Sequence, residues 1–246
     1  MYRRMVEPLL PHFRVVGMES RPLWPGSSMD ETSSWEEMAD DLIAFFDQQG
    51  WQKVVAVGHS LGAAKIVFAS LKRPDLFSRV ALVEPPLLPK WIFNLVSILP
   101  IDLRKKVVPP SRVAEKRTDR WPTDRAFFDY IRPKRVFAKI PDDVLMDYVT
   151  HTHKGIEDGT VRLRYPKEWE SHVYASLQSP WDGLSKMTHP TLAIRGTDSD
   201  VISPRSWEKW QRIQGEAEFK EVQGGHLVPF ESPTKVGECV ARFLVR

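Results

Sequence analysis

The five residues Gly58-His59-Ser60-Leu61-Gly62 constrain this chain more than any other feature. They follow an apolar run, Lys53 to Val57, and lead into a helical pattern, Ala63 to Leu71. A strand that becomes a helix over so few residues must bend sharply. Side chains two positions either side of the serine would collide in that bend, and the glycines at 58 and 62 are expected to relieve the collision. Ser60 then holds a strained backbone with its hydroxyl exposed. The N–H of Leu61, at the helix start, points to where an oxyanion would form.

The surrounding chain alternates strands and helices in two blocks. In the first, Phe13–Met18 reads as a buried strand. Ser34 and Glu37 then form a capping box for a helix through Trp35, Met38, Leu42 and Phe45 that stops at Gly50. Lys53–Gly58 is the next strand, Ser60–Lys72 a helix, and Ser78–Glu84 a third strand. The second block holds strand Thr191–Arg195, helix Pro204–Gln214, strand Ala217–Val222 and a last helix capped by Ser232 with Pro233 in its first turn. Apolar strands spaced by helices predict an α/β fold, a mostly parallel sheet covered on both faces.

Residues 89–165 differ in character. They read as short helices broken by Pro100, Pro109, Pro110, Pro122, Pro133 and Pro141. The expected division is therefore a core of residues 1–88 and 166–246 with a helical insertion at 89–165. The insertion opens on an apolar stretch, Trp91–Leu99, read as its core rather than a lipid-binding lid. From Asp102 to Lys139 it carries twelve Lys/Arg against five Asp/Glu, read as a solvated basic face.

A serine hydroxyl needs a base to take its proton, and the base needs an acid to orient it. Both candidates lie downstream, each just after a strand. His226 sits in Gly224-Gly225-His226-Leu227-Val228-Pro229-Phe230-Glu231, and Asp198 and Asp200 sit in Gly196-Thr197-Asp198-Ser199-Asp200-Val201-Ile202-Ser203-Pro204. The order Ser60, Asp, His226 at the carboxyl ends of parallel strands resembles the α/β-hydrolase superfamily, in its cap-bearing branch. The resemblance covers nearly the whole chain and implies that 89–165 is a helical cap. It also implies that Asp200, just before Val201-Ile202-Ser203-Pro204, is the acid. Asp198 is the alternative, reaching less well into the site. Glu84 is a remoter candidate, because some relatives end the preceding strand on the acid.

The resemblance further implies a serine hydrolase that cleaves an ester, thioester or related acyl bond through an acyl-enzyme, with Leu61 as one oxyanion donor. A carbon–carbon bond hydrolase or a cofactor-free haloperoxidase-like enzyme would use the same triad, and a non-catalytic ligand-binding member is the other class. The family takes its second oxyanion donor from a loop after an earlier strand. Residues 1–11 contain neither an apolar strand nor a glycine, so the chain is expected to be N-terminally shortened. The absent strand would leave Phe13–Met18 and Lys53–Gly58 either paired directly or with an open sheet edge.

Other features fit this reading. With 246 residues, 42% of them hydrophobic, the chain is large enough for one sizeable core. The net charge of +3 gives no argument for nucleic acid. No apolar run nears the ~20 residues of a membrane span. One cysteine, Cys239, fits a reducing compartment, and a cytoplasmic protein acting on a small acyl substrate is expected. No metal or organic cofactor is called for. His151 and His153 are poor metal ligands at their spacing, His59 is expected to pack beside the elbow without a chemical role, and His12, His172 and His189 to lie at the surface or at strand ends.

Overall fold

The computed structural model describes residues 1–29 and 34–246. Its elements, in chain order, begin with α1 (Arg3–Val6), α2 (Trp35–Gln49), β1 (Val54–His59), α3 (Leu61–Lys72), β2 (Phe77–Val83) and α4 (Lys90–Ser97). There follow α5 (Ile101–Val107), α6 (Pro109–Lys116), β3 (Arg120–Trp121), α7 (Asp124–Ile131), α8 (Asp142–Thr152), β4 (His153–Gly155), β5 (Val161–Leu163) and α9 (Lys167–Ala175). The chain ends with α10 (Trp181–Leu184), β6 (Thr191–Gly196), α11 (Pro204–Ile213), β7 (Glu218–Val222), α12 (Val228–Glu231) and α13 (Pro233–Leu244).

These elements fall into two compact units. The larger comprises Tyr2–Met18, Ser34–Leu95 and Gln178–Arg246. Its centre is a four-stranded parallel sheet in the order β1-β2-β6-β7. The alternation of side chains along β2 distributes the core. Ala81 and Val83 join Leu192, Ile194, Val222, Val236, Val240, Phe243 and Leu244 in one apolar cluster, into which α1 adds Met5. The intervening Val80 and Leu82, both fully buried, turn to the opposite face. Helix α13 runs close to the chain's start: a Cβ on Gly237 would lie 2.2 Å from the Met5 carbonyl oxygen.

The Ser34 capping box and the left-handed Gly50 (φ 65°) bound α2 as the residues predict. Ser232 does not cap α13; its hydroxyl donates instead to the Gln223 carbonyl at 2.7 Å. Phe13–Met18 is not a strand. Val15 and Val16 are 41% and 44% exposed, and β1 forms the edge of the sheet. An apolar β-prone run becomes a strand only where a neighbour takes up its backbone groups, and residues 13–18 join no ladder among the described residues. Of the two arrangements open to the sequence, the structure has the open edge.

The smaller unit comprises Val96–Leu177 and a stretch beginning at Glu19. It continues past residue 165 because α9 packs on α6. The Ser111 hydroxyl donates to the Ser171 carbonyl at 2.7 Å, and Arg117 pairs with Glu170. Pro100, Pro109 and Pro141 stand at helix starts, where a missing N–H costs nothing. The unit also holds an antiparallel sheet in the order β3-β5-β4, which the sequence does not announce. Its strands are two or three residues long, too short to show a period.

Candidate active site

Ser60 sits between β1 and α3 with φ 53° and ψ −121°, a region that costs a residue with a side chain about 1–3 kcal/mol. The turn is held from both sides. The Ser60 N–H donates to the Val83 carbonyl at 2.9 Å, and the Ser60 carbonyl accepts from the N–H groups of Ala63 and Ala64. Of the two glycines, Gly58 is the one the bend requires. A Cβ there would stand 2.5 Å from the carbonyl carbon and oxygen of Gly62 and 2.6 Å from the Ala63 nitrogen. A Cβ on Gly62 would meet nothing within 4 Å. The expected collision is thus one-sided: side chain 58 against backbone 62.

The Ser60 hydroxyl makes no helix-capping bond. Its Oγ lies 3.0 Å from His226 Nε2. His226 follows β7 in a tight loop, where the Gly225 N–H donates to Glu231 Oε2 at 2.5 Å and the Asp198 N–H donates to the Gly224 carbonyl at 2.8 Å. Gly196, at the end of β6, lets this loop approach: a Cβ there would lie 2.4 Å from the Gly225 carbonyl oxygen.

The other ring nitrogen, His226 Nδ1, lies 3.0 Å from Glu84 Oε2. Both ring nitrogens are therefore occupied, and neither Asp200 nor Asp198 is the carboxylate on His226. The reason is register. His59 pairs with Val83 across β1 and β2, so Glu84 is level with Ser60 at the strand ends. Asp198 and Asp200 lie farther along the chain past β6, and both are exposed. Glu84 is fully buried at φ 50°. Its Oε1 accepts the Gly196 N–H at 2.7 Å, and its Oε2 accepts the Ser199 hydroxyl at 2.7 Å as well as His226. Three donors converge on this carboxylate, which is how a buried charge is compensated. A lone carboxylate closing the apolar run Val80–Val83 is the signal in the sequence that points to it.

His59 packs beside the elbow, against the rings of Tyr2, His226 and Phe230. Its Nε2 lies 2.8 Å from the His226 carbonyl oxygen, and its Nδ1 lies 2.9 Å from the Tyr2 hydroxyl. Burial, reinforced by the neighbouring His226, pushes its pKa from 6.5 down to about 3. It is therefore neutral near pH 7.

Leu61 opens α3 beside Ser60. Among the described residues its N–H has no hydrogen-bond acceptor, so it is free to meet a ligand. His151 Nδ1 and His153 Nδ1 bond to main-chain carbonyls of α8, and His153 Nε2 meets Asp124 at 2.8 Å. Chemically, a hydroxyl, an imidazole and a buried carboxylate in line form a path along which a proton leaves Ser60 and the resulting cation is stabilised.

Comparison with known proteins agrees with this architecture. An abhydrolase domain-containing protein of Schizosaccharomyces pombe is 22% identical over 216 residues, 86% of this chain and 74% of its own length. A probable alcohol acetyltransferase of Cyberlindnera fabianii is 24% identical over 227 residues, 86% of this chain and 58% of its own length. Among solved structures, E-2-(acetamidomethylene)succinate hydrolase superposes with a TM-score of 0.79 at 22% identity, covering 99% of this chain and 87% of that one. A thermophilic esterase from Thermogutta terrifontis superposes with a TM-score of 0.71 at 19% identity, covering 99% and 84%. At these identities the structural likeness speaks to fold. The family model described as alpha/beta hydrolase fold matches residues 1–233, and the chain belongs to that family.

Proposed function

We propose that this protein is a serine-dependent acyl hydrolase, with Ser60 as nucleophile, His226 as base and Glu84 as the acid that orients His226. The observation that carries the reading is the unbroken chain Ser60 Oγ, His226 Nε2, His226 Nδ1, Glu84 Oε2, with both links at 3.0 Å. In the first half-reaction Ser60 Oγ attacks an acyl carbonyl and its proton passes to His226 Nε2. Glu84 stabilises the imidazolium, and the Leu61 N–H donates to the oxyanion. The tetrahedral centre collapses, the leaving group takes the proton from His226, and the acyl group remains on Ser60. Water, deprotonated by His226, then attacks the ester and releases the acid.

A second reading is favoured by the similarity to alcohol acetyltransferases: an alcohol replaces water in the second half-reaction and the product is a new ester. The residues at Ser60, His226 and Glu84 serve either acceptor. The substrate is a small acyl compound, and the unit of residues 96–177 is read as the inserted cap. The single cysteine, half-buried Cys239, supports a reducing, cytoplasmic setting. Among the described residues no helix is long and apolar enough to cross a membrane.

The test is p-nitrophenyl acetate turnover by the wild type and by Ser60→Ala, with and without added ethanol. The account expects release that depends on Ser60. Ethyl acetate formed in the presence of ethanol selects the transferase reading, and acetate alone selects the hydrolase. Equal rates for the wild type and Ser60→Ala across a series of acyl esters would end both.

A further inference from the structure

The imidazole of His226 is aimed by its two side-chain partners, but its position depends on where its own main chain is held. The loop carrying it has no regular structure between β7 and α12. Two of its anchors are the Gly225 N–H on Glu231, at the end of α12, and the Gly224 carbonyl under the Asp198 N–H. The anchor on His226 itself comes from the residue next to Ser60. His59, the last residue of β1, places Nε2 at 2.8 Å from the His226 carbonyl oxygen.

A carbonyl oxygen only accepts, so His59 Nε2 carries the proton. The imidazole is neutral, so Nδ1 carries the lone pair, and the Tyr2 hydroxyl at 2.9 Å must donate to it. The tautomer of His59 is thereby fixed from behind. Packing fixes its plane. The Tyr2 ring lies 4.8 Å from that of Phe230, and the Phe230 ring meets the His59 ring edge-on at 6.2 Å and 88°. The His59 and His226 rings themselves are 5.1 Å apart. A charged ring at that distance would oppose the imidazolium that His226 becomes, whereas a neutral one does not.

We propose that His59 is a positioning residue for His226: its Nε2–H, set by the Tyr2 hydroxyl, ties the main chain of the base to the strand that carries the nucleophile. Nothing in the acyl-transfer steps uses His59 directly. The inference rests on the serine-hydrolase reading above, and it gives Tyr2 a place in the same arrangement. Ser60 and the His226 loop are far apart in the chain and share no strand pairing, so a bond from the neighbour of Ser60 to the main chain of His226 holds the distance across which the proton moves. A displacement of about 1 Å in such a distance can cost about a hundredfold in rate.

Three variants test it. His59→Gln keeps an N–H donor of similar reach, His59→Leu keeps the bulk without the donor, and Tyr2→Phe removes only the hydroxyl behind Nδ1. Each is measured for thermal melting, for kcat and KM on p-nitrophenyl acetate, and for the downfield proton resonance of His226 Nδ1–H on Glu84. His59→Leu is expected to lower kcat by about ten- to a hundredfold with KM little changed, and to broaden or abolish the resonance. His59→Gln is expected to restore both. Tyr2→Phe is expected to fall between them. A purely structural role would lower the melting temperature of His59→Leu and leave kcat and the resonance of the folded fraction intact, and that result overturns the proposal. So does a folded His59→Gln as slow as His59→Leu. If His59→Leu does not fold, His59→Gln against Tyr2→Phe decides: a fast Gln and a slowed Phe support the brace, and a slow folded Gln refutes it. A wild type no faster than Ser60→Ala sinks the catalytic reading instead, and the resonance then tests the brace without turnover.

Discussion

Replacing Glu84 by glutamine separates the carboxylate that meets His226 in the structure from the acid that the sequence order suggests. Glu84 offers two acceptor oxygens to three donors: the Gly196 N–H, the Ser199 hydroxyl and His226 Nδ1. Glutamine keeps one acceptor. If its carbonyl oxygen stays on the buried Gly196 N–H, its NH2 faces His226. The imidazole must then present a lone pair at Nδ1 and carry its proton on Nε2, facing Ser60. In that tautomer it cannot accept the serine proton. The corresponding amide substitution in the Ser-His-Asp template lowers kcat by about 10,000-fold through the same tautomer fault. That is about 5.5 kcal/mol of transition-state stabilisation. A loss of that order is expected for Glu84→Gln, read as kcat on p-nitrophenyl acetate, with KM changed little. Ser199 Oγ already accepts from the Val201 and Ile202 N–H groups, so the variant loses the Ser199 bond to residue 84, and a thermal melt checks that it still folds. Asp200→Asn and Asp198→Asn, at exposed positions, should stay within a few-fold of wild type. A folded Glu84→Gln within tenfold of wild type, or an Asp200→Asn as slow as Glu84→Gln, would refute the assignment.

Gly58→Ala should unfold the elbow or abolish soluble expression, because its Cβ would meet backbone atoms at 2.5 Å that cannot yield. Gly62→Ala should be tolerated and raise stability by up to about 1 kcal/mol, since it sits in open space near the start of α3. Thermal melts of the two variants check the contrast, and equal effects would contradict it. Acid sensitivity should track His59. Its pKa is about 3 in the folded chain against 6.5 when free, so between those values the unfolded chain binds a proton that the folded chain does not. Stability from this group is complete above about pH 6.5 and falls as the pH drops toward 3, by at most about 1.4 kcal/mol per pH unit. Denaturant titrations at pH 7 and pH 5 should show a smaller loss for His59→Gln than for the wild type.

What the residues reveal and what they hide divides along local and non-local lines. The capping box at Ser34, the stop at Gly50 and the strand–serine–helix turn at Ser60 are decided by neighbours in the chain, and the sequence announces them. The meeting of Ser60 with His226 follows from motif and order. The carboxylate that faces His226 does not, because the choice between Glu84 and Asp200 depends on the pairing of His59 with Val83, a relation between strands. Phe13–Met18 has the composition of a strand and lacks a ladder to join, which composition does not show. Ser232 has the residue type of a helix cap, and its hydroxyl is claimed by Gln223, nine positions away. The steric role read for Gly62 is not needed, since a Cβ there meets nothing within 4 Å, and the bond from His59 to the His226 carbonyl is a non-local contact that its packing beside the elbow does not announce.

In the proposed reaction Ser60 becomes covalently acylated with the help of His226 and Glu84. The most direct measurement is the intact mass and peptide map of the protein after brief exposure to a fluorophosphonate at neutral pH. The account predicts a single adduct on the peptide containing Ser60, formed by the wild type and by Asp200→Asn at similar rates. It predicts far slower formation in His226→Ala and Glu84→Gln, and none at that peptide in Ser60→Ala. A wild-type protein left unlabelled at Ser60, or one labelled equally fast without His226, would contradict it.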